Sequence, residues 1–198
     1  MGRRVELLEE MAASRRENTL TYACDISDKG EFDQALEAMT GELGSLDIAI
    51  LCAGIGELNP ALDASAEIET ARVNVDGWTN AAVGLYRLFE RQGWGQLVTV
   101  TSVGGFMPAA MAPAYSASKA YQINYTKALQ RKSNGTGVVV TEIRPGLVDT
   151  RMAKGDGLFW VMPVDKVASQ IVKAIARRRR LAVVSRRWRL ANYILRHI

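Results

Sequence analysis

The chain has 198 residues, 48% of them apolar and 23% charged, with a formal net charge of +4, a balance that suits a single domain with one good core. No apolar run approaches the roughly 18 residues that span a bilayer, and the first residues mix Arg and Glu without a signal-peptide centre. Glu6 stands where N-myristoylation needs Ser or Thr, so a cytoplasmic protein is expected. One histidine, His197, and two cysteines, Cys24 and Cys52, are too few for a Ser-His-Asp hydrolase or a His/Cys zinc site, so no metal is expected.

Helix is expected over residues 5–16 and a strand over 20–24. Residues 27–31 open a second helix that runs to about Leu43, with Ser27 as its N-cap and Gly44 closing it. Residues 47–51 read as the next strand, so Cys24 and Cys52 each end an apolar strand and read as reduced, buried thiols. Residues 65–92 read as a long helix broken at Asn74-Val75-Asp76-Gly77, a poor helix interior that marks a kink and leaves the Asn74 backbone free to bind water. Residues 96–102 form a buried strand that ends on the Ser102 hydroxyl and is followed at once by Gly104-Gly105. The apolar stretch 106–111 lines a pocket or packs locally, and the next helix carries Tyr115 and Lys119. A strand over 138–143 runs into the turn 144–150, whose Pro145 and Gly146 break it; residues 152–163 read as a small lid. This alternation builds an α/β fold, a parallel sheet with helices on both faces.

Tyr115 and Lys119 are four residues apart and share one helix face. A phenol beside a fixed ammonium is a poised acid/base, because the positive charge favours the phenolate and draws its pKa down towards neutrality. The spacing alone is weak evidence, but the context strengthens it. Ser102 lies at a strand's carboxyl end, where open α/β sheets bind ligands, and a hydroxyl there can hold the carbonyl oxygen that the phenol protonates.

These residues resemble the single-domain short-chain dehydrogenases/reductases over nearly the whole chain. The resemblance implies a Rossmann-like, doubly wound sheet and a catalytic set of Asn74, Ser102, Tyr115 and Lys119. It implies hydride transfer between a nicotinamide cofactor and a carbonyl or secondary alcohol. Tyr115 would exchange the proton, Ser102 would polarise the substrate oxygen, Lys119 would bond the nicotinamide ribose, and Asn74 would secure a water in the proton relay. Pro145 and Gly146, with Val148 and Thr150, look like the nicotinamide-side motif. Asp25, followed by Ile26, looks like the adenine-side aspartate. Cys52-Ala53-Gly54 looks like the family's Asn-Ala-Gly turn with Cys52 in place of asparagine.

The family's first strand and glycine-rich pyrophosphate turn have no counterpart in this sequence, so the first βα unit is expected to be lacking. A truncated, non-catalytic remnant that only packs with partners is the alternative to an active oxidoreductase. Arg3 and Arg4 fall where the family's second strand ends, and guanidinium groups suit a 2′-phosphate, which favours NADP over NAD. Residues 186–198 read as a basic amphipathic helix with Trp188 at the edge of its apolar face. It packs on the protein or on another copy of the chain, or lies on an anionic membrane surface. A homo-oligomer is expected from the family's habit of pairing through its long helices. No aromatic stacking platform accompanies the arginines, so nucleic acid is not expected.

Overall fold

The structure, a computed structural model, describes residues 1–13, 18–150, 152, 160–185, 187, 188 and 190. Four parallel strands form one sheet in chain order: β1 (Ile48–Leu51), β2 (Gly95–Val100), β3 (Val138–Pro145) and β4 (Leu181–Val184). The helices are α1 (Val5–Ala13), α2 (Lys29–Leu43), α3 (Ala64–Ala71), α4 (Trp78–Gln92), α5 (Pro113–Lys132) and α6 (Val164–Ala176). This is a Rossmann-like α/β architecture.

Alternation along the strands feeds two cores. Leu51, Leu97 and Val140 pack with Trp78, Ala81, Leu85 and Phe89 of α4 and Leu129 of α5 on one face. Val98, Ile143 and Val184 pack with Val167, Ala174 and Ile175 of α6 on the other. Each Val, Leu, Ile or Phe among them, fully withdrawn from water, contributes roughly 1.5–3 kcal/mol, so both helix layers are held by burial rather than by helix propensity. On β1 only alternate residues join a core; Ile48 and Ile50 remain 47% and 53% exposed.

The expected strand over 20–24 does not form a ladder. Among the described residues its one backbone pairing is the parallel bridge between Ala23 and Gly2, with Gly2 N–H donating to the Tyr22 carbonyl and Cys24 N–H to the Gly2 carbonyl. A strand is a paired object, and a single short neighbour leaves the rest of this segment with nothing to propagate against. Helix α2 starts one residue later than expected. Asp28, not Ser27, is the N-cap, accepting from Glu31 N–H, while the Ser27 hydroxyl is already committed to the Asp25 carboxylate. Gly44 closes α2 as expected.

The expected kink between α3 and α4 is a π-helical turn, Arg72–Gly77. Gly77 has to be glycine there, since a Cβ would stand 2.8 Å from the Ile26 carbonyl oxygen. The turn therefore presses residues 26–27 against the start of α4. Among the described residues, no helix is long and apolar enough to cross a membrane. Most of the expected tail helix lies outside the described residues. Within it, Trp188 is buried against Gly146 and Trp160 rather than standing at an exposed apolar edge.

Candidate active site

The site forms beyond the carboxyl ends of β1, β2 and β3. Ser102 lies two residues past β2 and opens a short 3₁₀ turn (Val103–Phe106) by accepting from Gly104 N–H at 3.1 Å. This turn faces the first part of α5, where Tyr115 and Lys119 sit. A Cβ added at Gly104 would stand 3.4 Å from Ser102 Oγ and 3.6 Å from Tyr115 Cε1, so that glycine faces both hydroxyl-bearing residues at once. Lys119 Nζ lies 5.8 Å from the Tyr115 ring centre, close enough for a cation–π contact.

The start of α5 is fixed by a residue that the sequence did not single out. Glu67 Oε2 accepts from Ala114 N–H at 2.7 Å, placing a carboxylate at the positive end of the helix, while Oε1 accepts from Asn59 Nδ2. Asn74 is completely buried and holds the turn after β1. Its Oδ1 accepts from Ile55 N–H and its Nδ2 donates to the Ile55 carbonyl and to Ser118 Oγ. Cys52, Ala53 and Gly54 are thereby drawn towards α5. A Cβ on Gly54 would stand 3.1 Å from Asn74 Oδ1 and 3.5 Å from Lys119 Nζ, and one on Gly56 would run into the Tyr115 ring.

One expectation fails on electrostatics and one on burial. The Tyr115 phenol is not drawn towards neutrality: burial pushes its pKa up, and the Ser102 hydroxyl only partly offsets this. Lys119 is buried too, and burial lowers its pKa to about 8, opposed by the nearby Cys52. Desolvation therefore outweighs the attraction that the four-residue spacing suggests. Gln122 Nε2 donates to the Asn74 carbonyl at 2.9 Å, taking one of its two lone pairs. Cys52 is exposed rather than buried, while Cys24 is buried as expected; both are free thiols.

Arg3 and Asp25 form a separate corner, 3.7 Å apart, beside Ile26. Burial raises the Asp25 pKa, but the hydroxyl and N–H of Ser27 and the Arg3 and Arg72 guanidiniums outweigh it, leaving the carboxyl below its usual range. Pro145 and Gly146 end β3, and Gly146 N–H donates to the Val184 carbonyl. Val148 pairs in parallel with Met162, while Thr150 is exposed and its hydroxyl donates to the Val148 carbonyl. Of the expected lid, residues 160–163 fold across this wall; residues 153–159 lie outside the described residues. In the stretch 106–111, Phe106 packs over the Arg144 guanidinium at 4.4 Å, whereas Met107 and Met111 are about half exposed.

Gln122, Glu67 and the buried Glu142–Arg144 pair are the residues sequence reasoning missed. Only Gln122 carried a readable signal, because it lies three residues after Lys119 on the same helix face.

A parallel α/β sheet with a phenol, an ammonium and a hydroxyl gathered beyond its strand ends is a Rossmann-like fold with polar groups where such sheets bind ligands. The chain belongs to the short chain dehydrogenase family, whose model matches residues 1–157. It is 29% identical over 157 residues to an uncharacterized oxidoreductase of Staphylococcus epidermidis, covering 78% of this chain and 68% of that protein. Its fold is similar to that of apo LigD from Sphingobium sp. strain SYK-6, with a TM-score of 0.84, 22% identity, and 98% and 81% of the two chains covered. It is also similar to a serine dehydrogenase solved in its closed form with NADP+, with a TM-score of 0.69, 25% identity, and 74% and 60% covered.

The family binds NAD(P), and the residues present fit the ribose and nicotinamide half of such a group. Lys119 and Tyr115 supply donors, and Gly54 leaves open the space beside Lys119 that a side chain would fill. Among the described residues, no glycine-rich turn between a first strand and a helix offers backbone N–H groups to a pyrophosphate.

Proposed function

We propose that this chain is an oxidoreductase that moves a hydride between NADP(H) and a carbonyl or secondary alcohol, with Tyr115 as the proton donor or acceptor. One observation carries the reading: Tyr115, Ser102 and Lys119 meet at the carboxyl end of β2, with Gly104 facing both the Ser102 hydroxyl and the Tyr115 ring. The bound dinucleotide supplies or accepts the hydride. Ser102 holds the substrate oxygen within reach of the Tyr115 phenol, and both donors are aimed before the substrate arrives, which lowers the cost of the developing oxyanion. The raised Tyr115 pKa keeps the phenol protonated at neutral pH, ready to donate to a carbonyl.

Lys119 would bond the nicotinamide ribose, with Ala53, Gly54 and Cys52 beside it. Pro145, Gly146, Val148 and Thr150 would face the nicotinamide, and Asp25 and Ile26 the adenine end. NADP is favoured over NAD because Arg3, half exposed beside Asp25, offers a guanidinium to a 2′-phosphate. The chain works as a homo-oligomer paired through α4 and α5, in the cytoplasm; a contact of its basic tail with a membrane surface is the alternative placement.

A second reading, a non-catalytic remnant that acts only by packing, draws on the exposed Ile48 and Ile50 and on α1, which buries no residue. Thermal unfolding with saturating NADPH and NADH separates the two. At a hundredfold excess over Kd the cofactor adds about 2.7 kcal/mol, roughly 5 to 10 °C for a domain of this size. Stabilisation by NADPH supports the enzyme; a flat response to both cofactors rejects it for this chain.

A further inference from the structure

Lys119 is 6% exposed, and the described polar partners of its ammonium are unequal. The Val100 carbonyl accepts at 3.4 Å, whereas Gln122 Oε1 accepts at 2.9 Å. On its other side the same amide donates from Nε2 to the Asn74 main-chain carbonyl at 2.9 Å. Gln122 and Asn74 are both completely buried. We infer that Gln122 is a positioning residue for Lys119, a neutral bridge that fixes the ammonium between the Tyr115 ring and the π-helical turn. The inference rests on the reading of Tyr115 and Lys119 as the reacting pair.

The orientation of the amide is dictated by chemistry. An ammonium only donates and a peptide carbonyl only accepts, so the Gln122 oxygen must face Lys119 and its nitrogen must face Asn74. No other uncharged side chain of this length offers an acceptor at one corner and a donor at the other. A carboxylate there would neutralise Lys119 but lose the donor to Asn74; an aliphatic side chain would lose both bonds and orphan a buried carbonyl.

The bridge also changes what the Asn74 carbonyl can do. It takes one of that carbonyl's two lone pairs, and an amide does not hand a proton on without first forming its imidic tautomer. Gln122 therefore holds the ammonium without serving as its proton outlet.

Neutrality is the second consequence. The groups that face Lys119 are the Tyr115 ring from its own helix, the Gln122 amide, the Val100 carbonyl from β2, and Cys52 from the turn after β1. Among the described residues no carboxylate pairs with it. Burial therefore dominates its titration, with only Cys52 opposing, and holds its pKa down to about 8.

The test compares the 198-residue chain with its Q122E and Q122M variants. Lysine 13Cε-labelled protein is titrated by NMR, with K119R assigning the Lys119 signal. NADPH-dependent carbonyl reduction is followed across pH, and thermal melts confirm that each variant is folded. We expect Q122E to raise the Lys119 midpoint by about one unit, a tenfold gain in proton affinity, and Q122M to lower it. The pH profile of reduction should move in the same directions. If the Lys119 midpoint is the same in all three proteins while their melts differ, Gln122 is only a packing residue and the inference is overturned. If the midpoints move as expected but no protein reduces a carbonyl, the positioning role stands and the oxidoreductase reading of this chain fails.

Discussion

Asn74 gives both halves of its amide to one residue, Oδ1 accepting Ile55 N–H at 2.8 Å and Nδ2 donating to the Ile55 carbonyl at 2.7 Å. A buried side chain thus imitates a neighbouring strand for the turn after β1, where no ladder reaches. Removing it leaves two backbone groups unsatisfied, and Ser118 Oγ loses a donor. Asn74→Ala is expected to cost about 3 kcal/mol in chemical denaturation, because each orphaned buried group costs roughly 1–3 kcal/mol. Asn74→Asp should cost at least as much, since an ionised carboxylate cannot donate to the Ile55 carbonyl. A loss below about 0.5 kcal/mol for the alanine variant, the scale of an ordinary surface change, would mean that solvent replaces the amide and that the turn is held elsewhere.

Lys119 predicts an unusual dependence of stability on pH. Its pKa is about 8 in the folded protein against 10.5 for the free side chain, so between those values the unfolded chain binds the extra proton. Stability therefore rises with pH from about 8 towards 10.5, by up to about 1.4 kcal/mol per unit. Cys24 and Tyr115 act in the opposite sense. Burial raises both, so above about pH 9 the folded state holds protons that the unfolded chain gives up, and stability falls. The quantity to measure is the stability of the wild type minus that of Lys119→Met at each pH, which cancels the other groups. It should climb between pH 8 and 10. A flat difference would show that Lys119 titrates as it does in water.

Much of this was legible in the sequence, and the failures share a cause. β2, β3 and α5 are long, strongly patterned and bounded by glycine or proline, so their own residues announce them. The kink at Asn74 was equally visible, because Asn, Asp and Gly in succession suit no helix interior. What could not be read depends on partners remote in sequence. Residues 20–24 carry strand composition but find only Gly2 to pair with. Spacing brought Tyr115 and Lys119 to one helix face but gave no measure of their burial, and burial decides the sign of the phenol's shift. Gln122, 48 residues from Asn74 in the chain, is bonded to its backbone, and composition carries no trace of that.

Glu142 and Arg144 stand two apart on β3, so they share one face of the sheet, and both are buried. Glu142 Oε1 accepts from Arg144 Nε at 2.8 Å, from Arg144 Nη2 at 2.6 Å and from the Thr101 hydroxyl at 2.8 Å, while the guanidinium lies over the Phe106 ring. The pair therefore ties the chain before Pro145 to the turn after Ser102, two walls of the site. Glu142→Gln alone should cost about 3–5 kcal/mol, because the guanidinium stays charged and loses the Glu142 carboxylate. The double variant Glu142→Leu, Arg144→Met should recover most of that stability, since it removes both desolvated charges. If the single and double variants lose equal amounts in urea denaturation, the pair is held by its shape and not by its charge.

Tyr115 and Ser102 give a prediction in which activity and stability separate. Tyr115→Phe keeps the ring that packs beside Gly56 and removes only the hydroxyl, so its melting temperature should stay close to that of the wild type. Carbonyl reduction should nonetheless fall by about 10²–10⁴, the usual contribution of a positioned general acid. Ser102→Ala removes the hydrogen bond that draws the Tyr115 pKa down against burial. In that variant the remaining activity in the alcohol-oxidising direction, which needs the phenolate, should require a higher pH than in the wild type. The reducing direction, which needs the protonated phenol, should keep its neutral plateau at a lower height. Full turnover in Tyr115→Phe would move the proton chemistry off this residue, and an unshifted oxidation profile in Ser102→Ala would separate the two hydroxyls that the 3₁₀ turn brings together.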